Sequence, residues 1–176
     1  MDDLVEHVLA ILSTTPERWR ALAGTVQGDL LARAPAPGEW SALDCLRHLL
    51  ATERVAFPVR VQAFLDGHDL AAYDPDAAGA TSGPVDPGEL VAEFEEVRAA
   101  SLQLLTGLET ADLRRTARHA ELGPVTLEQM LNEWAGHDRM HTVQAERALM
   151  QPFIAGSGPW RGYFSDHEVK GRAAGA

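Results

Sequence analysis

TLEQMLNEWAGHDRMHTVQAERALM, residues 126–150, is the stretch whose reading decides the architecture. Thr126 and Gln129 have the spacing of a capping box. Leu127, Met130, Leu131, Trp134, Val143 and Leu149 then recur at helical intervals. The pattern predicts one long helix ending near Pro152. On such a helix His137 and His141 point the same way, one turn apart. That spacing lets two imidazoles hold one metal ion. A third histidine, His48, lies in a separate apolar segment, Leu46-Arg47-His48-Leu49-Leu50. Two helices packed side by side could bring the three rings together. Three neutral histidines with no fourth protein ligand leave an ion open to water or substrate, the catalytic pattern rather than the structural one.

Working outward, three more helical stretches appear. Leu4, Val8, Ile11 and Leu12 start the first, and Thr15-Pro16 reads as a fresh start that interrupts or kinks it before Trp19, Leu22 and Ala23. Ala34-Pro35-Ala36-Pro37-Gly38 is a breaker. Ser41, with Asp44 in the capping-box position, opens the second helix, which runs to about Leu65 with a bend at Pro58. A Gly-, Pro-, Ala- and Asp-rich connection follows from Gly67 to about Val85, of a length often functional or mobile. Asp86-Pro87 restarts the chain, Leu90, Phe94, Val97, Leu102 and Leu105 continue it, and Gly107 stops it. Residues 114–123 hold at most a short extended piece, and no strand alternation is visible. The expected fold is all-α: a four-helix bundle with a long crossover between its second and third helices, over residues 1–152. Residues 153–176 form a tail that docks through Trp160, Tyr163 and Phe164, with a frayed end from Lys170.

The composition bounds the function. A net charge of -11 argues against nucleic acid as a partner. One cysteine, Cys45, excludes an intramolecular disulfide framework. Met1-Asp2-Asp3-Leu4-Val5-Glu6-His7 does not look like a signal peptide, and no run is apolar enough to span a bilayer. The expectation is a cytoplasmic protein acting on a small molecule.

Other residues near the histidines have two readings each. Asp44 and Glu133, one turn before His48 and His137, could hold the outer ring nitrogens, or serve as cap and surface residue. Cys45 could share a face with His48 as a ligand, or be a small core residue. Glu53 is the candidate general base beside an activated water; its ordinary reading is an ion pair or solvent exposure. His7, His68, His119 and His167 lack ligand spacing. Trp19, Trp40 and Trp134 read as core or staple residues, and Gly136 as a packing position. The sequence holds no His-Glu-x-x-His, no Glu-x-x-His on a helix, no phosphate loop and no Gly-x-Ser-x-Gly.

Pro37-Gly38-Glu39-Trp40-Ser41 followed by Leu46-Arg47-His48-Leu49, then Gly123-Pro124-Val125-Thr126-Leu127, then Trp134 to His141, resembles the DinB-like superfamily, in particular its DinB/YfiT-type branch. The order and separations match over about residues 2 to 151. The resemblance implies a four-helix bundle, often dimeric, with His48, His137 and His141 as ligands of a divalent metal. Nickel or zinc is the first expectation, iron or manganese the next. It also implies either a transferase or isomerase using a low-molecular-weight thiol as cosubstrate, or a hydrolase. The expected function is therefore a metal-dependent enzyme whose ion activates a thiol or water, as a homodimer. The alternative is a metal-binding or stress-associated bundle without catalysis.

Overall fold

A computed structural model describes residues 2–72 and 85–171 of the chain. Its helices are α1 (Asp2–Thr25), α2 (Gly28–Leu31), α3 (Ala42–Val55), α4 (Phe57–Asp66), α5 (Pro87–Thr106) and α6 (Leu127–Gly156). A hairpin of β1 (Thr116–His119) and β2 (Gly123–Thr126) precedes α6, with Thr116 opposite Thr126 and His119 opposite Gly123. Short 3-10 segments cover Asp112–Arg114 and Gly158–His167. The main helix contacts run α1 to α5, α5 to α3, α3 to α6 and α6 to α1, closing a four-helix ring. The all-α bundle expected from the sequence is the observed fold. The crossover falls between α4 and α5, and its residues 73–84, with any cover they give the site, lie outside the described residues.

The helix starts follow from capping chemistry. The Ser41 hydroxyl accepts from the Asp44 amide at 3.1 Å while the Asp44 carboxylate accepts from the Ser41 amide at 3.0 Å. Thr126 and Gln129 exchange the same pair of bonds at the head of α6. Asp86 caps α5 through the Glu89 amide, and Pro87 needs no partner in the first turn.

The three prolines behave differently, for local reasons. Pro58 breaks the second helix outright: α3 ends, Ala56 leaves helical geometry at φ -116° and ψ -74°, and α4 restarts. Pro16 does not interrupt α1, contrary to the expected fresh start. A proline there frees the carbonyl of Leu12, and a guanidinium nitrogen of Arg98 donates to that oxygen at 2.9 Å. Thr15 is accordingly no cap; its hydroxyl donates to the Ile11 carbonyl at 3.0 Å inside the helix. Pro152 likewise does not end α6, which continues to Gly156 and buries Ile154.

The extended piece of residues 114–123 is the four-residue β1 strand, too short for alternation to show in sequence. The hairpin is tied to the bundle where the Leu70 amide donates to Arg118 and the Leu127 amide to Arg115. Its turn is held by the His119 Nδ1, which accepts from the amides of Glu121 and Leu122.

The tail lies on α6 with Trp160 and Tyr163 64% and 83% exposed, contrary to expectation, and only Phe164 of its three aromatics half-buried. The bonds that tie it down are polar. Arg147 donates to the carbonyls of Asp166 and Glu168, and Gln151 donates to that of His167 and accepts from the Val169 amide. Lys170 and Gly171 are not splayed away: a Cβ on Gly171 would come within 3.2 Å of Pro37. The rest of the expected frayed end, residues 172–176, lies outside the described residues.

The core divides in two along the bundle. One apolar cluster holds Leu12, Phe57, Phe64, Leu105, Leu131 and Trp134. The other holds Trp19, Leu46, Leu49, Phe94, Ala145 and Leu149. Each of the four long helical stretches contributes to both. Between the two sets, each stretch buries polar side chains: Thr15 on α1, His48, Thr52 and Glu53 on α3, Arg98 and Ser101 on α5, Asp138, His141 and Thr142 on α6. The candidate site lies in this polar waist.

Candidate metal centre

α3 and α6 pack against each other and bring His48, His137 and His141 together, with one ring nitrogen from each within 4.8 Å of the others. It is the only such histidine, cysteine or carboxylate group among the described residues. The Nε2 atoms of His48 and His137 stand 3.0 Å apart. Two ligands at tetrahedral zinc bond lengths would be separated by about 3.3 Å, so an ion needs only a small widening.

Each ring is held by its surroundings. The Nδ1 of His141 lies 2.9 Å from the Gln144 carbonyl oxygen. Accepting a hydrogen bond from Nδ1–H there, the Gln144 side-chain oxygen favours the tautomer that leaves Nε2 with its lone pair. His137 stands edge-on to Phe57 at 5.0 Å, and Phe57 stacks on Trp134. The indole of Trp40 stacks on His141 at 5.5 Å and tilts against His48 at 4.9 Å. Trp40 precedes the Ser41 cap, so the helix start also places this ring.

The electrostatics favour metal ligation. Burial, then the neighbouring His141, His48 and Arg98, pushes His137 down to about 3. Burial also lowers His141, against the Gln144 bond and the Asp138 charge, which raise it. A neutral imidazole is what a metal requires. The Nδ1 of His137 is buried without a hydrogen-bond partner. Such a ring is poorly satisfied by protein alone, and ligation through Nε2 offsets part of that cost. The donor set therefore fits a divalent ion.

Below the rings lies a buried ion cluster that the sequence reading missed. Arg98, 1% exposed, donates to Glu53 at 2.7 Å and to both oxygens of Asp138 at 2.7 and 3.2 Å. With its bond to Leu12, the guanidinium joins α1, α3 and α6 from its own seat on α5. It also lies over the rings of Phe94 and Trp134. Glu53 is 2% exposed and pairs with Arg98 through Oε2, its ordinary reading, while its Oε1 is buried without a hydrogen-bond partner; it is not part of the metal-ligand group. Burial raises its carboxyl more than Arg98 lowers it.

The other candidates are elsewhere. Asp44 is spent on the α3 cap. Glu133 lines a separate cavity of about 190 Å³ with Arg60 and His119. Cys45 is fully buried in the apolar core, and burial pushes its thiol up to about 12. It is not part of the ligand group with the histidines.

A family model for the DinB superfamily matches residues 11–145, which contain all three histidines, Glu53, Arg98 and Asp138. The chain belongs to the DinB superfamily. Among solved structures, this DinB-superfamily chain is similar to YfiT from Bacillus subtilis, described as "a probable metal-dependent hydrolase with an unusual four-helix bundle topology". The two share 18% identity at a TM-score of 0.74, over 85% of this chain and 87% of YfiT. No curated protein sequence matches the chain.

The superfamily match stops short of the tail, which walls one side of a cleft of about 590 Å³ separated from the histidines by Trp40 and Gln144. Trp40, Gly136 and Gln144 form its inner side, and Glu168, Val169 and Lys170 belong to the tail. No helix among the described residues is long and apolar enough to cross a membrane.

Proposed function

We propose that the chain is a metal-dependent enzyme in which His48, His137 and His141 hold one divalent ion, zinc or nickel first, that activates a small nucleophile for attack on a small-molecule electrophile. The observation that carries this reading is the convergence of His48, His137 and His141 behind Trp40 and Gln144, which line an open cleft. A bound ion supplies Lewis-acid chemistry, lowering the pKa of a thiol or water. Gln144 orients His141, Trp40 and Phe57 fix the ring planes, and the Arg98 cluster holds α3 and α6 in register.

The choice of nucleophile turns on the base. No carboxylate belongs to the ligand group among the described residues, and both Glu53 and Asp138 are paired with Arg98. A thiol ionises far more readily than water and needs less help from a base. Transfer from a low-molecular-weight thiol is therefore the first reading. Hydrolysis is the second, favoured by the similarity to YfiT. The setting proposed is a cytoplasmic homodimer.

The test is turnover of an alkyl-halide, epoxide and ester panel by protein loaded with zinc or nickel, with and without a thiol. Turnover only with thiol supports transfer, and turnover without it supports hydrolysis. If the loaded protein turns over neither, with metal content verified, the enzymatic reading fails and the non-catalytic bundle replaces it.

A further inference from the structure

The cleft walled by the tail has two chemically different ends. Trp40 and Gln144, which touch the histidine rings, mark the inner end. Met140 and Val143, 55% and 51% exposed, give it an apolar floor along α6. The outer end is cationic. Arg147 lies six residues past His141, or about 9 Å along the helix. The tail brings Lys170, the only lysine in the chain, to the same cleft. Arg139 also lines the cleft, but two residues past His137 and so level with the histidines rather than with Arg147.

Two acids also line the cleft. Glu168 already receives a 2.7 Å bond from Arg161. Glu39 adjoins Trp40 in the chain. Arg147 makes only long bonds, 3.4 and 3.3 Å, to tail carbonyls, and its Nε is buried without a partner. In a protein of net charge -11, a cleft end that brings Arg147 and the tail's Lys170 together beside an apolar floor is unlike its surroundings.

We propose that this cleft takes a small carboxylate with an apolar body, its anionic end on Lys170 and Arg147 and its other end toward Trp40 and Gln144, which touch the histidine rings. The assignment of that other end as the reacting one rests on the metal-centre reading above; the anion site does not. The tail is then the wall that supplies substrate specificity to a bundle whose histidines supply the chemistry.

The test uses full-length, metal-free protein, so that it does not depend on the ion. Binding of 6-phenylhexanoate is compared by calorimetry with that of the neutral 6-phenylhexanamide. The charged ligand should bind about tenfold more tightly, the increment expected of one charge-assisted contact. That margin should shrink with added salt and vanish in the Arg147→Met/Lys170→Met variant. As a readout free of mutation, 6-phenylhexanoate but not the amide should protect Lys170 from acetylation by N-hydroxysuccinimidyl acetate, followed by mass spectrometry. Equal affinities for acid and amide, or a margin that survives in the double variant, would overturn the proposal. Metal content measured separately reports on the metal reading: an anion margin in a protein that takes up no metal leaves this site standing and removes only its catalytic partner.

Discussion

The apolar ends of the bundle and its polar waist are built by the same four helical stretches under opposite rules. At the ends, Leu12, Phe64, Leu105, Leu131 and Trp134, or Leu46, Leu49 and Phe94, are almost wholly buried and need only volume and shape. In the waist, Arg98, Glu53, Asp138, His48 and His141 are nearly as buried but depend on partners. A buried charge stabilises little beyond its own desolvation cost, yet losing one partner is expensive. The ends hold the helices together; the waist fixes how they face one another. The histidines stand at that level because ligand geometry tolerates less drift than apolar packing does.

The largest expected break falls in the waist. Arg98→Met strands two carboxylates and the Leu12 carbonyl, and should cost about 3–5 kcal/mol in urea unfolding. Replacing Arg98, Glu53 and Asp138 together by apolar residues of similar size should recover much of that loss while weakening metal uptake. A triple variant no more stable than Arg98→Met would contradict this reading of the waist. At the apolar end, Leu131→Ala should cost about 2–5 kcal/mol through the cavity it leaves. Metal content should stay unchanged in the folded fraction, which marks the difference between the two regions.

Removing the ion sharpens the comparison further. If it binds only the folded state, stripping it should lower stability by about 2.7 kcal/mol from a condition of hundredfold excess over Kd. Calorimetry with verified metal content checks this, and an unchanged Tm would count against it. The stripped protein should also be acid-sensitive. His137 is depressed to about 3 in the fold from an ordinary 6.5, so the unfolded chain binds its proton first. The contribution of the neutral ring is fully present above about pH 6.5 and is lost as pH falls toward 3. Urea midpoints between pH 7.5 and 5 should fall more in wild type than in His137→Ala. The smallest effect belongs to the frame: Ser41→Ala removes one cap bond and should cost about 1 kcal/mol.

Much of the frame was legible because it is local. The Ser41–Asp44 and Thr126–Gln129 boxes and the Asp86-Pro87 start are short patterns set by backbone chemistry. The three histidines were legible through the one-turn spacing of His137 and His141 and the motif around His48. The unbroken run of α1 through Pro16 was not legible because a proline's effect depends on what takes over the freed carbonyl, and Arg98 is distant in sequence from Leu12. The Arg98 cluster left a trace that went unread. Phe94, Arg98, Ser101 and Leu105 repeat at helical spacing, as do Leu131, Trp134, Asp138 and Ala145. A charge interrupting an apolar stripe on two helices at once is the signature of a buried pair. Gln144, three residues after His141, was likewise available as the residue that orients it. The polar docking of the tail was not legible, because aromatic content suggested apolar burial and the bonds that form run through backbone carbonyls.

The central claim is that the polar waist exists to hold one ion between α3 and α6. Elemental analysis of the untagged wild type, His48→Ala and His137→Ala tests it most directly. The prediction is about one divalent ion per chain in the wild type and loss of the ion in both variants, one from each helix. Metal retained in either variant, or none in the wild type after reconstitution with zinc, nickel, manganese and iron, would contradict it.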